Sequence, residues 1–377
     1  MAEYIYLDNN STTPVDPRVI EAMIPFFSKH FANASSNHRF GQSIKKYVDE
    51  SRLSVSSLIN ARPSEIVFTS GATEALNLAL KGLVSVKSET SHIITSQSEH
   101  PAVLDTCRSL ENQGVEVTYL RVNRQGLIDL KDIEQAIKSN TILVSIMLAN
   151  NETGVIQPIE KIAEVCRKND VLLLSDATQA IGKISVDVEE LGVDLLAMSA
   201  HKFYGPKGIG ALYIKKGIRL DEIIHGGGHE NHLRSGTLNV PSIIGFGKAC
   251  QIADSQFKED SERISNLRDL LESELLQIEG SSLNGDKESR LPNTSNIFFP
   301  NVETDVLIPS LVKTIVSNGS ACSSNVVEAS HVLKSMGLSD AEAFSSIRIS
   351  LGRFTSENDI HFAIQELRER ITTPIFK

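Results

Sequence analysis

Short apolar runs punctuate the first part of the chain: EIVFTS from Glu65, HIITS from His92, VEVTYLRV from Val115, TILVSIML from Thr141, VLLLSD from Val171, DLLAMS from Asp194 and GIGALYI from Gly208. Each is leucine-rich or β-branched and is followed by small or polar residues, which reads as a buried strand. Helix-period segments separate many of them, as in ATEALNLALKGL, where Ala75, Leu76, Ala79, Leu80 and Leu83 share one face. This alternation predicts a mainly parallel sheet covered by helices on both sides. The direction of GIGALYI stays open, because it follows its predecessor closely enough to return antiparallel.

From about Asp254 the pattern changes. A charged helix (SERISNLRDLLESELLQIEG), a polar turn, a strand (TSNIFF) and a final strand-helix unit (SIRISLG, then ENDIHFAIQELRERI) follow one another. Residues 13–254 are therefore read as a large domain, and residues 1–12 with 255–377 as a smaller α+β domain. No internal repeat or low-complexity segment interrupts them.

Composition narrows the chemistry. The chain has 377 residues, 41% hydrophobic and 22% charged, with a formal charge of −10. That is enough to build a substantial core. The acidic balance and the lack of a Lys/Arg stripe argue against nucleic acid or a membrane surface as partner. The opening MAEYIYLDNN has no basic or apolar leader, and no apolar run approaches spanning length, so the expected location is cytoplasmic. The four cysteines form no C-x-x-C pair and show no metal-ligand spacing with histidine, so no metal is expected. Cys107, Cys166 and Cys250 fall in helix-like segments and read as buried thiols. Cys322 stands in SNGSACSSN, without apolar cover, as a nucleophile on a loop would.

Candidate sites lie at the ends of the strands. In EIVFTSGATEALNLAL a strand runs through a small-residue turn into a helix, whose first N–H groups and dipole can seat a phosphate; an ordinary N-cap at Thr73 is the competing explanation. Asp176 closes VLLLSD, where a carboxylate can line a ligand crevice or cap the ATQ turn that follows. Lys202 closes LLAMSAHK at the mouth of a buried run, where it must be paired, shifted in pKa or used covalently. An acid and a lysine converging on a phosphate seat is the set that pyridoxal phosphate requires.

The motifs LDNNSTTP, SGATEALNLAL, SEHPAV, NNETGVIQPI, DATQAIGK, SAHKFYGPKGIGALYI, GGG…LRSGT, NGSACSS and SSIRISLGRFT occur in chain order. Together they resemble the pyridoxal-phosphate-dependent cysteine desulfurases of the iron-sulfur cluster assembly type, in the class V aminotransferases. The resemblance covers nearly the whole chain. It implies an α/β chain of aminotransferase fold type I, with a mainly parallel seven-stranded sheet, a smaller α+β domain and a homodimer. It also implies the roles of individual residues. Lys202 corresponds to the imine lysine and proton-moving base, Asp176 to the partner of the pyridinium nitrogen, and Gln179 and Asn151 to ligands of the ring hydroxyl. His100 corresponds to the stacking residue with an acid/base role, and Ala72, Thr73, Ser199 and His201 to the phosphate seat. Thr237 corresponds to a phosphate contact supplied by the neighbouring subunit. Arg348 corresponds to the clamp for the substrate carboxylate, which Asn151 also touches, and Cys322 to the acceptor of a persulfide as L-cysteine becomes L-alanine. On an extended strand end, Ser199 and His201 would face one side and Lys202 the other.

A selenocysteine or cysteine lyase of the same fold, or a scaffold that keeps the cofactor without turnover, are the competing readings. The sequence departs from many relatives in GGGHENHLRSGT, where Asn231 and His232 replace Arg and Gly, and in the short ending RERITTPIFK. The sulfur acceptor, a cluster scaffold or a thiolation carrier, is left open.

Overall fold

The computed structural model describes residues 4–86, 90–319 and 328–372. Its largest sheet has the spatial order Ile66–Thr69, Gly210–Ile214, Leu195–Ser199, Leu172–Asp176, Thr141–Ser145, His92–Ser96, Glu116–Leu120. The five strands from Leu195–Ser199 to Glu116–Leu120 in this order are parallel to one another, whereas Gly210–Ile214 is antiparallel to both Leu195–Ser199 and Ile66–Thr69. The direction left open by the sequence is thereby settled. Successive side chains enter different cores: Val144, Leu173 and Leu196 belong to one apolar cluster, and Leu143, Leu174 and Leu195 to another. A strand covered on both faces needs apolar residues at every position, which is why these runs show no polar alternation.

A third core joins Leu7 to Ile297, Ile347, Ile349, Ile360 and Leu367. It lies beneath a three-stranded antiparallel sheet in which Thr294–Phe298 is flanked by Ser346–Ser350 and Ser282–Leu283. The single helix Val240–Leu275 serves two cores. Ile243, Phe246 and Cys250 pack toward the large sheet, and Ile264, Leu267 and Leu271 toward the third core. The change of character near Asp254 thus falls inside one unbroken helix. Val332, Leu333 and Met336, late in the chain, pack into the core of the large sheet.

The edge strand Ile66–Thr69 is closed by side chains. Phe68 N–H donates to Glu230 at 2.8 Å, Arg52 donates to the Ile66 carbonyl at 2.7 Å, and the two side chains pair at 2.6 Å. The Arg52 guanidinium also lies over the Phe68 ring, 4.5 Å from its centroid. Residues Glu230, Asn231 and His232 all have positive φ, at 49°, 56° and 65°. Each costs on the order of 1 kcal/mol in a non-glycine residue, and the Arg52–Glu230 pair holds the segment in place. Asn231 and His232, the departures noted in the sequence, therefore shape a strained turn.

Candidate active site

The C-terminal strand ends open on a cleft of about 660 Å³. Residues far apart in sequence line it together: Lys202, Asp176, His100, Asn151, Gln179 and Arg348, with Ser199, His201, Ala72 and Thr73 at one end.

The phosphate end is built by close approach. A Cβ at Gly210 would stand 2.5 Å from the Met198 carbonyl oxygen and 2.7 Å from Gly71 Cα, so only glycine lets the strand pass the turn. The helix begins at Ala72, which places Thr73 within the first turn and not at an N-cap. First-turn N–H groups have no intrahelical acceptor and point outward. Glu74, whose charge would repel an anion, is held by Arg234 at 2.8 Å and accepts from Ser70 N–H at 2.7 Å. His201 Nδ1 meets Thr12 Oγ1 at 3.1 Å, and burial pulls the imidazole pKa down to about 4.

The strand Leu195–Ser199 stops at Ser199, and Ala200–Lys202 form a 3-10 turn. This corrects the extended-strand expectation: the turn, not strand alternation, brings Ser199, His201 and Lys202 to the same cleft. Lys202 Nζ donates to the carbonyls of Asn10 at 2.7 Å and Ser11 at 2.6 Å. Burial, then the Arg348 charge, brings its pKa to about 8 against the pull of Asp176 and Asp8. An amine so lowered is far more nucleophilic near neutrality than an exposed lysine.

Asp176 meets both expectations at once, since its Oδ1 accepts from Thr178 N–H at 2.9 Å while the carboxylate lines the cleft. His100 caps the helix Pro101–Glu111 by accepting from Ala102 N–H at Nδ1, 3.1 Å away. Its neutral ring therefore carries the proton on Nε2, and burial lowers its pKa. Gln179 Nε2 donates to the Asn10 carbonyl at 2.8 Å, and its Oε1 accepts from Lys183 at 2.7 Å. Asn151 lines the cleft, and its carbonyl accepts from Arg348 at 3.1 Å.

Arg348 lies on Ser346–Ser350, where Ile347 and Ile349 face the third core and Arg348 alternates to the other side. Thr237 is exposed and does not line this cleft. Cys322 lies outside the described residues. Cys107, Cys166 and Cys250 are buried, as expected, with thiol pKa values raised by burial. The described residues contain no cluster of three or more His, Cys, Asp or Glu suited to a metal.

Sequence reasoning gave no role to the segment from Asp8 to Thr13, although LDNNSTTP contributed to the resemblance. This segment touches Arg348 through Asp8, Lys202 through Asn10 and Ser11, and His201 through Thr12. Asn10 is 1% exposed and uses every polar atom, adding bonds to Ser350, Thr294, Asn151, Lys183 and Asn293. A polar six-residue loop carries no periodic signal that could have indicated this.

The donor set fits pyridoxal phosphate: a first-turn N–H cradle beside Ser199, a lysine of lowered pKa, and a carboxylate at the end of the neighbouring parallel strand. The cofactor, when bound, supplies an electron sink for the carbon beside the substrate carboxylate.

Comparison with known proteins agrees with this chemistry. The chain matches the aminotransferase class-V family over residues 5–362. It is 50% identical over 373 residues to the cysteine desulfurase IscS of Escherichia coli K12 / DH10B, covering 97% of this chain and 92% of that protein. Among solved structures, a NifS-like protein superposes with a TM-score of 0.92 at 38% identity, covering 97% of this chain and 98% of that one. A structure described as SspA in complex with cysteine gives 0.83 at 38% identity, covering 93% and 99%. The chain has the α/β fold of pyridoxal-phosphate enzymes of fold type I and belongs to the class-V aminotransferases, within them to the IscS-type cysteine desulfurases that mobilise sulfur as cysteine becomes alanine.

Proposed function

We propose that the residues of the cleft divide the desulfurase reaction as follows. Ala72, Thr73, Ser199 and His201 seat the cofactor phosphate, joined by Thr237 of a second subunit. Asp176 holds the proton on the ring nitrogen, Gln179 and Asn151 address the ring hydroxyl, and His100 stacks on the ring. Arg348, with Asn151, binds the carboxylate of L-cysteine. Lys202 links the cofactor and, once displaced by substrate, carries the α-proton on Nζ. The observation that carries this reading is the convergence of Lys202, Asp176, His100 and Arg348 on one cleft.

Sulfur leaves through Cys322. Its thiolate attacks the substrate sulfur, the carbon–sulfur bond breaks with its electron pair left on carbon, and that carbon takes a proton to become the methyl group of L-alanine. Neutral His100, with its proton on Nε2, is suited to exchange a proton with the substrate thiol. The persulfide on Cys322 then passes to an acceptor protein, a cluster scaffold or a thiolation carrier.

The homodimer reading is supported by exposed apolar side chains near the N-terminus, including Ile24, Phe27 and Phe31 at 59%, 66% and 70% exposure. A cytoplasmic location suits the three free, buried thiols. The two-domain division at residues 13–254, against 1–12 with 255–377, draws support from the third core, which gathers Leu7 with Leu271, Ile347 and Leu367, whereas Val332, Leu333 and Met336 pack with the large sheet.

The test uses wild type and Cys322→Ala with L-cysteine, measuring alanine and protein-bound sulfane sulfur together. The variant should keep the cofactor and still respond spectrally to cysteine, while alanine formation falls at least about a hundredfold. Alanine and free sulfide at the wild-type rate would instead indicate a lyase.

A further inference from the structure

Chain pairing brings Asp8 to Arg348. Ser350 N–H donates to the Leu7 carbonyl at 2.7 Å, and Asn9 N–H donates to the Ser350 carbonyl at 3.1 Å, so the N-terminal segment zips onto the end of Ser346–Ser350. Asp8, at this junction, meets Arg348, two residues before Ser350, with Oδ1 and NH2 at 2.6 Å. The two side chains are 17% and 6% exposed. The remainder of the guanidinium is only partly used: NH1 donates to the Asn151 carbonyl at 3.1 Å, and Nε, fully buried, has no partner among the described residues. Asp8 therefore holds the group by one nitrogen only. A carboxylate received in two-pronged fashion takes two donors on one edge of the plane, and the edge formed by Nε and NH2 is the one Asp8 partly occupies.

We propose that Asp8 is a resident competitor for the substrate carboxylate, a specificity-determining residue that sets how tightly Arg348 takes an incoming acid. This rests on the reading of Arg348 as the carboxylate clamp. Two physical effects act in the same direction. The Asp8 charge repels a second carboxylate at the clamp. It also satisfies the buried guanidinium in the free enzyme, so an arriving acid gains only the difference between two ion pairs. Without Asp8, the incoming carboxylate would relieve an uncompensated buried charge. Asp8 thus keeps affinity modest and favours release of the amino-acid product, which carries the same carboxylate as the substrate.

The test measures binding to the holoenzyme through the cofactor spectrum, with L-alanine as probe and L-alaninamide, which lacks the carboxylate, as control. In Asp8→Asn the Kd for alanine should fall about five- to tenfold, while that for alaninamide stays within about twofold. Asp8→Ser serves the same comparison should Asp8→Asn fold poorly. Unchanged or weaker alanine binding, or an equal shift for both probes, overturns the proposal, the latter because a merely structural role would not distinguish them. Arg348→Gln separates the two readings. If it abolishes the preference for alanine over alaninamide, the clamp stands and the Asp8 variant decides the competitor role. If the preference survives, the clamp reading falls and the competitor role with it.

Discussion

Lys202 Nζ rests on the backbone carbonyl of Asn10 at 2.7 Å, an acceptor supplied from 192 residues away. The carbonyls of Asn10 and Ser11 give the amine a berth that no side-chain substitution at those positions removes. The lysine is aimed by main chain, while its charge is disfavoured by burial and by Arg348.

This predicts a pH dependence in the cofactor-free protein. The folded amine titrates near 8, and an unfolded lysine near about 10.4. Between those values the unfolded chain holds the extra proton, so stability rises with pH. Lys202→Met should flatten that rise. Lys183, also lowered by burial, leaves a residual slope of the same sign. Denaturant titrations across this range check it; an unchanged slope in the variant counts against the lowered lysine.

Asn10→Ala separates the side chain of the hub from its carbonyl. Lys183, Asn293 and Thr294 each lose a bond, which should cost about 1–3 kcal/mol of stability. The carbonyl at position 10 remains, so the cofactor link proposed at Lys202 should persist. Thermal melts and borohydride reduction with peptide mapping read the two effects separately, and loss of the link would show that the side chain aims the lysine.

Much of the site was legible because chemistry-bearing residues ended recognisable strands. Asp176 closes VLLLSD and Lys202 follows LLAMS, so their types and places were visible before any contact was known. Asp8 and Asn10 were not legible in this way. Their partners lie up to 340 residues distant, and a polar loop shows the same pattern whether it faces solvent or a buried guanidinium. The turn at Ala200–Lys202 was missed for a related reason: an apolar run predicts where a strand lies better than where it stops.

The edge of the large sheet gives a third prediction. Glu230→Ala leaves Arg52 without its partner and Phe68 N–H without an acceptor, and should cost about 3 kcal/mol. Glu230→Gln keeps an acceptor and should cost roughly half as much. Equal melting temperatures for wild type and Glu230→Ala would show that the pair is dispensable.

A shared site predicts complementation. Thr237→Ala and Lys202→Ala subunits, mixed and reassembled, form some dimers in which one site holds both an intact Lys202 and an intact Thr237. Desulfurase activity should then exceed the sum of the separate variants. Activity no greater than that sum would place Thr237 outside the site of a second subunit.

The helix Val240–Leu275 extends 36 residues without interruption, a rod of about 54 Å. One end is rooted beneath the strands that present Asp176 and Lys202, and the other beneath the strand that presents Arg348. A sharp kink between its anchorages would disrupt backbone hydrogen bonds in the middle of a helix. The spacing of Lys202 and Arg348 is thereby tied to one continuous element shared by two cores, as the jaws of a caliper are tied to one beam.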